Sequence, residues 1–429
     1  MRKVQALIES VAFKGYGLAR IHGKVVFVPY TAAGDKVWIE IVEEKKTYSL
    51  GRLDRIVNPS PWRVNPPCPY FGTCGGCQWQ HIDYRLHGEL KKAILIETLE
   101  RIGRIRDLPP PDVMLSPKPY DYRVRIQLKV RGRRLGYFRE RSHEIVDIDH
   151  CPISDPLVNQ MIRPLRSEML ASSKVEGIEV NVSPEWKKAV LILHPLLWNR
   201  DSEDFVRDFF QNHPILKGIA VVERKGLKRF GDPTLHFTVS LHRSEGERTF
   251  GFRASALSFF QVNPEQNRRL IETVLEFSEV RKNETLLDLY AGIGNFTLPL
   301  AAEASTVIGV EENRTAMEDA RFNAEKNGIR NCDFVHGRVE EVLKNLSEKP
   351  DHVVLDPPRT GCKTILDRVV ELKPKRIVYV SCEPTTFARD IHLLAESGYS
   401  LQRLALIDMF PQTYHMEVIG LLQQSHGSG

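Results

Sequence analysis

Between Val4 and Val57 apolar residues come in short alternating runs cut by glycine turns: V-Q-A-L-I-E-S-V-A, G-Y-G-L-A-R, K-V-V-F-V-P-Y, G-D-K-V-W-I-E-I-V and L-G-R-L-D-R-I-V. Five short strands in so little chain predict a small barrel of the OB type over residues 1–60. Pro59, Pro61, Pro66 and Pro67 then stiffen a linker. From Arg85 to Gly103 the period changes: Leu86, Leu90, Ile94, Leu95, Leu99 and Ile102 share one helical face, which predicts an amphipathic helix packed on a neighbouring domain. Strand-type runs return from Tyr120 to about Phe252, with one or two helices among them, and predict an antiparallel α+β domain within residues 61–255. After Asn263-Pro264 a helix runs through Leu275. L-L-D-L-Y, V-I-G-V-E, V-V-L-D and I-V-Y-V-S then alternate with helix-period sequence. That alternation predicts a parallel, doubly wound, Rossmann-like α/β sheet over residues 256–429.

Composition narrows the class. A chain of 429 residues exceeds one ordinary core, and 42% hydrophobic content is that of a soluble protein. No apolar run approaches the ~18 residues a membrane span needs, and Met1-Arg2-Lys3 opens no signal peptide, so a cytoplasmic protein without membrane contact is expected. No stretch calls for an obligate protein partner. The net charge of +5 is unevenly spread. Between Asp121 and His143 eight Lys/Arg stand against two acids, interleaved with Tyr122, Tyr137 and Phe138, and over residues 1–57 the ratio is ten to six. Basic strands with aromatic rings suit RNA, whose phosphates and bases they can hold together.

Seven cysteines are too few for a disulfide scaffold, yet three are bunched. Cys68, Cys74 and Cys77, spaced C-x5-C-x2-C among glycines, make a soft-metal clamp. Cys151 is the best fourth ligand, with His81 and His150 as substitutes. Spacing does not choose between zinc and an iron–sulfur cluster, since both take four thiolates.

Chemistry gathers at the predicted strand ends. Cys382 follows I-V-Y-V-S, at the carboxyl edge where open α/β sheets bind ligands. Asp288 and the turn Gly292-Ile293-Gly294 close the first strand, and Glu311, at the end of the second, can hold ribose hydroxyls. Together they resemble the S-adenosylmethionine pocket of class I methyltransferases. Asp356-Pro357-Pro358 forms a rigid lip beside the methyl donor, and Arg359 stands where amino-methylating enzymes carry an aromatic residue, which favours a carbon acceptor.

With C-x5-C-x2-C, D-P-P-R-T-G, Y-V-S-C and the stretch Asp408 to Glu417, nearly the whole chain resembles the RNA (uracil-5-)-methyltransferase family, with its TRAM, iron–sulfur and methyltransferase domains. The resemblance implies that Cys68, Cys74, Cys77 and Cys151 hold a 4Fe-4S cluster and that Gln261, Tyr290, Gly292, Asn295, Glu311 and Asp356 line the S-adenosyl-L-methionine pocket. It also implies RNA as substrate, 23S rRNA first and the T-loop of tRNA as the alternative. Uracil C5 is a poor nucleophile, so a Cys382 thiolate adding at C6 would load electrons onto C5, and Glu417 would take the C5 proton after methyl transfer. Glu383 departs from the usual Asn beside the nucleophile, and its carboxylate opposes thiolate formation unless it points away or pairs with Arg389. That departure motivates a rival reading, an inactive RNA-binding protein. A zinc-stabilised amino methyltransferase is a third.

Overall fold

A computed structural model describes residues 3–170, 175–224, 226–243 and 246–424. Residues 1–2 and 425–429, at the outer ends of the first and last predicted domains, lie outside the described residues. Six strands between Lys3 and Asn58 form one curled sheet, not the five expected. The first run splits at Ile8-Glu9 into Lys3–Leu7 and Ser10–Ala12, which pair with different neighbours. Ile8, Ala19, Val26, Val28, Val37 and Ile39 fill its interior. Tyr16 and Tyr30 donate from this sheet to the two oxygens of Glu140, each at 2.9 Å, and so dock it on the central domain.

The central sheet has seven strands, from Arg125–Arg131 to Gly226–Gly231. It is antiparallel except for Lys188–Pro195 and Leu216–Glu223, which run parallel. The helix Arg200–Asn212 makes the crossover between them, and such a crossover permits parallel pairing. A separate long hairpin, Thr234–Arg243 with Gly246–Ser255, leads to the last part of the chain.

That last part is an eight-stranded sheet. Counted from Thr285–Leu289, its strands lie in the order 3-2-1-4-5-7-6, and Asp112–Met114 adds a short parallel strand beyond the sixth. Alternate residues bury opposite faces, as the period of two requires. Leu286, Val378 and Ile419 join a core continuous with the central domain, while Leu287, Tyr379 and Val418 pack beneath Leu95 and Leu99 of the helix Tyr84–Arg101. Each of those leucines contributes roughly 2 kcal/mol by leaving water. The switch point between strands 1 and 4 therefore opens at one edge, with both sheet faces closed. No helix among the described residues is long and apolar enough to cross a membrane.

Candidate active site

The strand Arg376–Ser381 is almost wholly buried and ends where Pro384 opens the helix Pro384–Glu396. Glu383 caps that helix. Its carboxylate accepts from the Thr385 amide (3.4 Å) and hydroxyl (2.7 Å), so it is engaged by the helix. Arg389, the partner considered for it, pairs instead with Asp390 at 2.7 Å. Cys382 lies between strand and cap, partly buried. The last strand, Glu417–Gln424, runs antiparallel beside it with Val418 opposite Ser381, which brings Glu417 next to Cys382 at the same edge. Glu417 is 3% exposed.

Arg359 completes this group. The rigid Asp356-Pro357-Pro358 lip delivers its guanidinium to Cys382 and Glu417, with Tyr414 and His415 also in its field. Burial, then the Glu417 carboxylate, push the Cys382 thiol up to about 12, and Arg359 pulls the other way. Burial, then Asp356, raise Glu417 well above the carboxylate range, again opposed by Arg359. The motif reading took Arg359 only as a missing aromatic. A thiol beside two carboxylates would need a cation in order to ionise, and that requirement was the available signal.

At the switch point Asp288 is fully buried. One of its oxygens accepts from the Thr297 hydroxyl at 2.5 Å, and the other, Oδ1, has no partner among the described residues. Burial pushes it to about 7. Asp356, at the neighbouring strand end, is pushed to about 7 by burial and by Asp288. Gly292 (φ 56°) and Gly294 (φ 88°) make the turn between them and the following helix. A Cβ on Gly294 would stand 2.3 Å from Leu298 Cδ1. Glu311 accepts from the amides of Gly292 (2.8 Å) and Asn313 (2.6 Å), which fixes its carboxylate over the turn. Asn295 and Asn267 exchange amide hydrogen bonds at 2.9 and 3.0 Å. Tyr290, Gly292, Asn295, Glu311 and Asp356 thus stand at the carboxyl ends of three neighbouring strands or in the turn that follows the first. Gln261 lines an adjoining cavity of about 270 Å³ with Tyr122, Phe260 and Asn267.

The four named cysteines also come together. Cys68, Cys74, Cys77 and Cys151 line a second cavity of about 140 Å³ with Gln80, Arg123, Tyr137 and His150. Gly75 permits the approach: its amide donates to the Phe138 carbonyl at 3.0 Å, and a Cβ there would meet the same backbone. Cys151 is fixed by Asn159, which accepts from its amide at 2.8 Å and donates to its carbonyl at 3.1 Å. Burial raises the thiols of Cys68, Cys74 and Cys77, that of Cys74 to about 11, and Cys151 adds to each. His81, a substitute ligand on sequence grounds, is absent from this lining and packs against Phe71 at 5.5 Å.

A doubly wound sheet whose last strand inserts antiparallel, with glycines and carboxylates at its switch point, is that of a class I methyltransferase. Residues 92–425 match the family profile of tRNA (uracil-5-)-methyltransferases, and residues 2–53 match the TRAM domain. The chain belongs to that family and is an RNA (uracil-5-)-methyltransferase. It is 36% identical to an RNA methyltransferase of Aquifex aeolicus over 98% of this chain and 99% of that one. It is 34% identical to the 23S rRNA (uracil(1939)-C(5))-methyltransferase of Pectobacterium atrosepticum, covering 96% and 92% of the two chains. Among solved structures, the Pyrococcus abyssi tRNA (uracil-54, C5)-methyltransferase in complex with S-adenosyl-L-homocysteine superposes with a TM-score of 0.77 at 27% identity, covering 97% of this chain and 99% of that one.

Proposed function

We propose that the protein transfers a methyl group from S-adenosyl-L-methionine to C5 of a uridine in 23S rRNA, with Cys382 as nucleophile and Glu417 as base. The register that sets Glu417 beside Cys382 carries this reading. The thiolate adds at C6, C5 attacks the methyl group, Glu417 takes the C5 proton, and the C6–S bond then breaks to restore the ring. Burial keeps thiol and carboxyl protonated at rest. Arg359 and the cationic sulfonium both favour their ionised forms, so binding of the methyl donor primes the pair. Full-length similarity to the 23S rRNA enzyme favours ribosomal RNA. The similarity to the solved tRNA enzyme keeps the T-loop as the second reading. The reading as an inactive RNA-binding protein loses its motive, because Glu383 caps a helix. The barrel and the exposed Arg131, Arg133 and Arg134 are assigned to the RNA flanking the flipped target.

RNA fragments transcribed with 5-fluorouridine test the whole scheme, because fluorine at C5 does not leave as a proton does. With S-adenosylmethionine a covalent protein–RNA band is expected on a denaturing gel, with ribosomal fragments and not with tRNA, and none with Cys382→Ala. Absence of a band from wild-type protein that binds cofactor would overturn the Cys382 mechanism.

Tyr290, Gly292, Asn295, Glu311, Asp356 and Gln261 are assigned to the cofactor, and the unpartnered Asp288 Oδ1 gives its positive methionine end an acceptor. Asp288 and Asp356, both near 7, bind protons in the free protein and release them to a cation. Affinity for S-adenosylmethionine is therefore expected to rise between pH 6 and 8, by up to about tenfold per pH unit for each proton released, and then level off. The sign for stability is opposite. These raised carboxyls stabilise the free fold below the ordinary carboxylate range, and that contribution is lost as the pH rises through about 7. Calorimetric titration in buffers of different ionisation enthalpy reads the proton release, and Asp356→Asn should reduce it.

The cysteine set is assigned to a 4Fe-4S cluster. Among the described residues no three His, Cys, Asp or Glu side chains are grouped closely enough to hold a metal ion. Four thiols lining one cavity suit a polynuclear centre, whose positive charge would offset the burial that raises Cys68, Cys74 and Cys77.

A further inference from the structure

The segment from Asp408 to Met416 joins the strand Tyr399–Ile407 to Glu417, and one side chain from far away in the chain holds both of its ends. Lys91, in the helix Tyr84–Arg101, is wholly buried. Its ammonium donates to Asp408 Oδ1 at 2.5 Å, to the His415 carbonyl at 2.6 Å and to the Phe410 carbonyl at 3.3 Å. Three donors thus meet three acceptors, and no other side chain supplies that set from a single point. Tyr84 donates to the second oxygen of Asp408 at 2.8 Å. The middle of the segment is fixed separately. Gln412 adopts φ 68°, and its carbonyl accepts from the amides of Gln78 (3.1 Å) and Trp79 (3.0 Å), while Tyr122 donates to the Pro411 carbonyl at 3.1 Å.

A buried ion pair is a poor device for stability alone, since well-packed apolar residues of similar volume often serve as well or better. What it supplies here is a fixed point. His415 is two residues from Glu417, so the clamp sets where the last strand begins and where its first carboxylate stands. We propose that Lys91 is a positioning residue for Glu417, holding the 408–416 segment so that the carboxylate stays within reach of the C5 proton once the methyl group has been transferred. The proposal rests on Glu417 as the base.

If the clamp is removed, Cys382, the cofactor pocket and Arg359 remain, so C6 addition and methyl transfer proceed, but the proton on C5 leaves slowly. The methylated ring then stays bonded to Cys382. Lys91→Met tests this, with Lys91→Met/Asp408→Leu as the second variant, which leaves no charge unpaired and carries the test should the single variant fail to fold. Cofactor affinity and cooperative unfolding establish a folded protein. With ordinary uridine RNA, turnover is expected to fall about 100-fold while KM for RNA changes little. A covalent protein–RNA band should accumulate in the steady state, as with Glu417→Gln, and uridine deuterated at C5 should slow turnover further. A purely structural role would lower the amount of active protein without creating the band or the isotope effect. Folded variants that turn over with neither would overturn the proposal. If Glu417→Gln itself shows neither, the base assignment fails first and takes this inference with it.

Discussion

Replacing Arg359 with Met is expected to lower methyl transfer by about 100-fold or more, with cofactor affinity nearly unchanged. Arg359 is the positive group that opposes Glu417 and Asp356 at the thiol. Without it the thiol faces two carboxylates in a partly buried site, its pKa rises further, and the thiolate fraction at neutral pH falls. The ascending limb of kcat/KM against pH should therefore move to higher pH in Arg359→Met. Arg359→Lys, which keeps the charge without the planar fork, should lie between the two. Formation of the fluorouridine adduct should slow in the same proportion, because addition at C6 is the step that needs the thiolate. An unchanged pH profile in a slow, folded Arg359→Met would mean that the guanidinium acts on the RNA and not on the thiol.

The parts of this site that sequence disclosed are those whose signal is local. Ile377 to Val380 reads as a buried strand wherever it sits in a sheet, so Cys382 could be placed at a strand end before its neighbours were known. The cysteine spacing, the glycine turn after Asp288 and the acid at Glu311 are equally short-range. Glu417 was legible only through its motif. Its position depends on antiparallel insertion of the last strand, a property of the whole sheet. Asp112–Met114, three residues at a sheet edge, is too short to show any period. The parallel pair in the central sheet was hidden because it depends on a crossover helix and not on either strand's own pattern.

Lys91 shows the same limit more sharply. In the helix it sits beside Lys92 and one turn before Leu95, and nothing nearby in the chain marks it as fully buried, because its partner Asp408 lies 317 residues further on. Glu383 fails in the other direction. A carboxylate next to a nucleophile looks damaging in sequence, but the turn that exposes Cys382 also starts a helix, and a helix start accepts a carboxylate readily. Adjacency in the chain and adjacency to the sulfur are different things at a strand-to-helix turn.

The cysteine set gives the second large expected effect, Cys77→Ser. Wild-type protein prepared without oxygen should be brown and contain iron and sulfide, whereas the variant should be colourless and lose about 4 kcal/mol or more of stability. Activity should fall as well, although Cys77 lies outside the catalytic group. The amides of Gln78 and Trp79, the two residues that follow it, hold the carbonyl of Gln412 in the segment leading to Glu417. Trp79 is itself fully buried, with the Lys91 ammonium 5.7 Å from its ring centroid. With a cluster on this loop, losing it would loosen the same segment that Lys91 clamps, and the variant's residual turnover should share the slow proton removal expected of Lys91→Met. Zinc in place of iron in the wild type would overturn the cluster assignment. A stable, active Cys77→Ser would separate the cysteine loop from catalysis altogether.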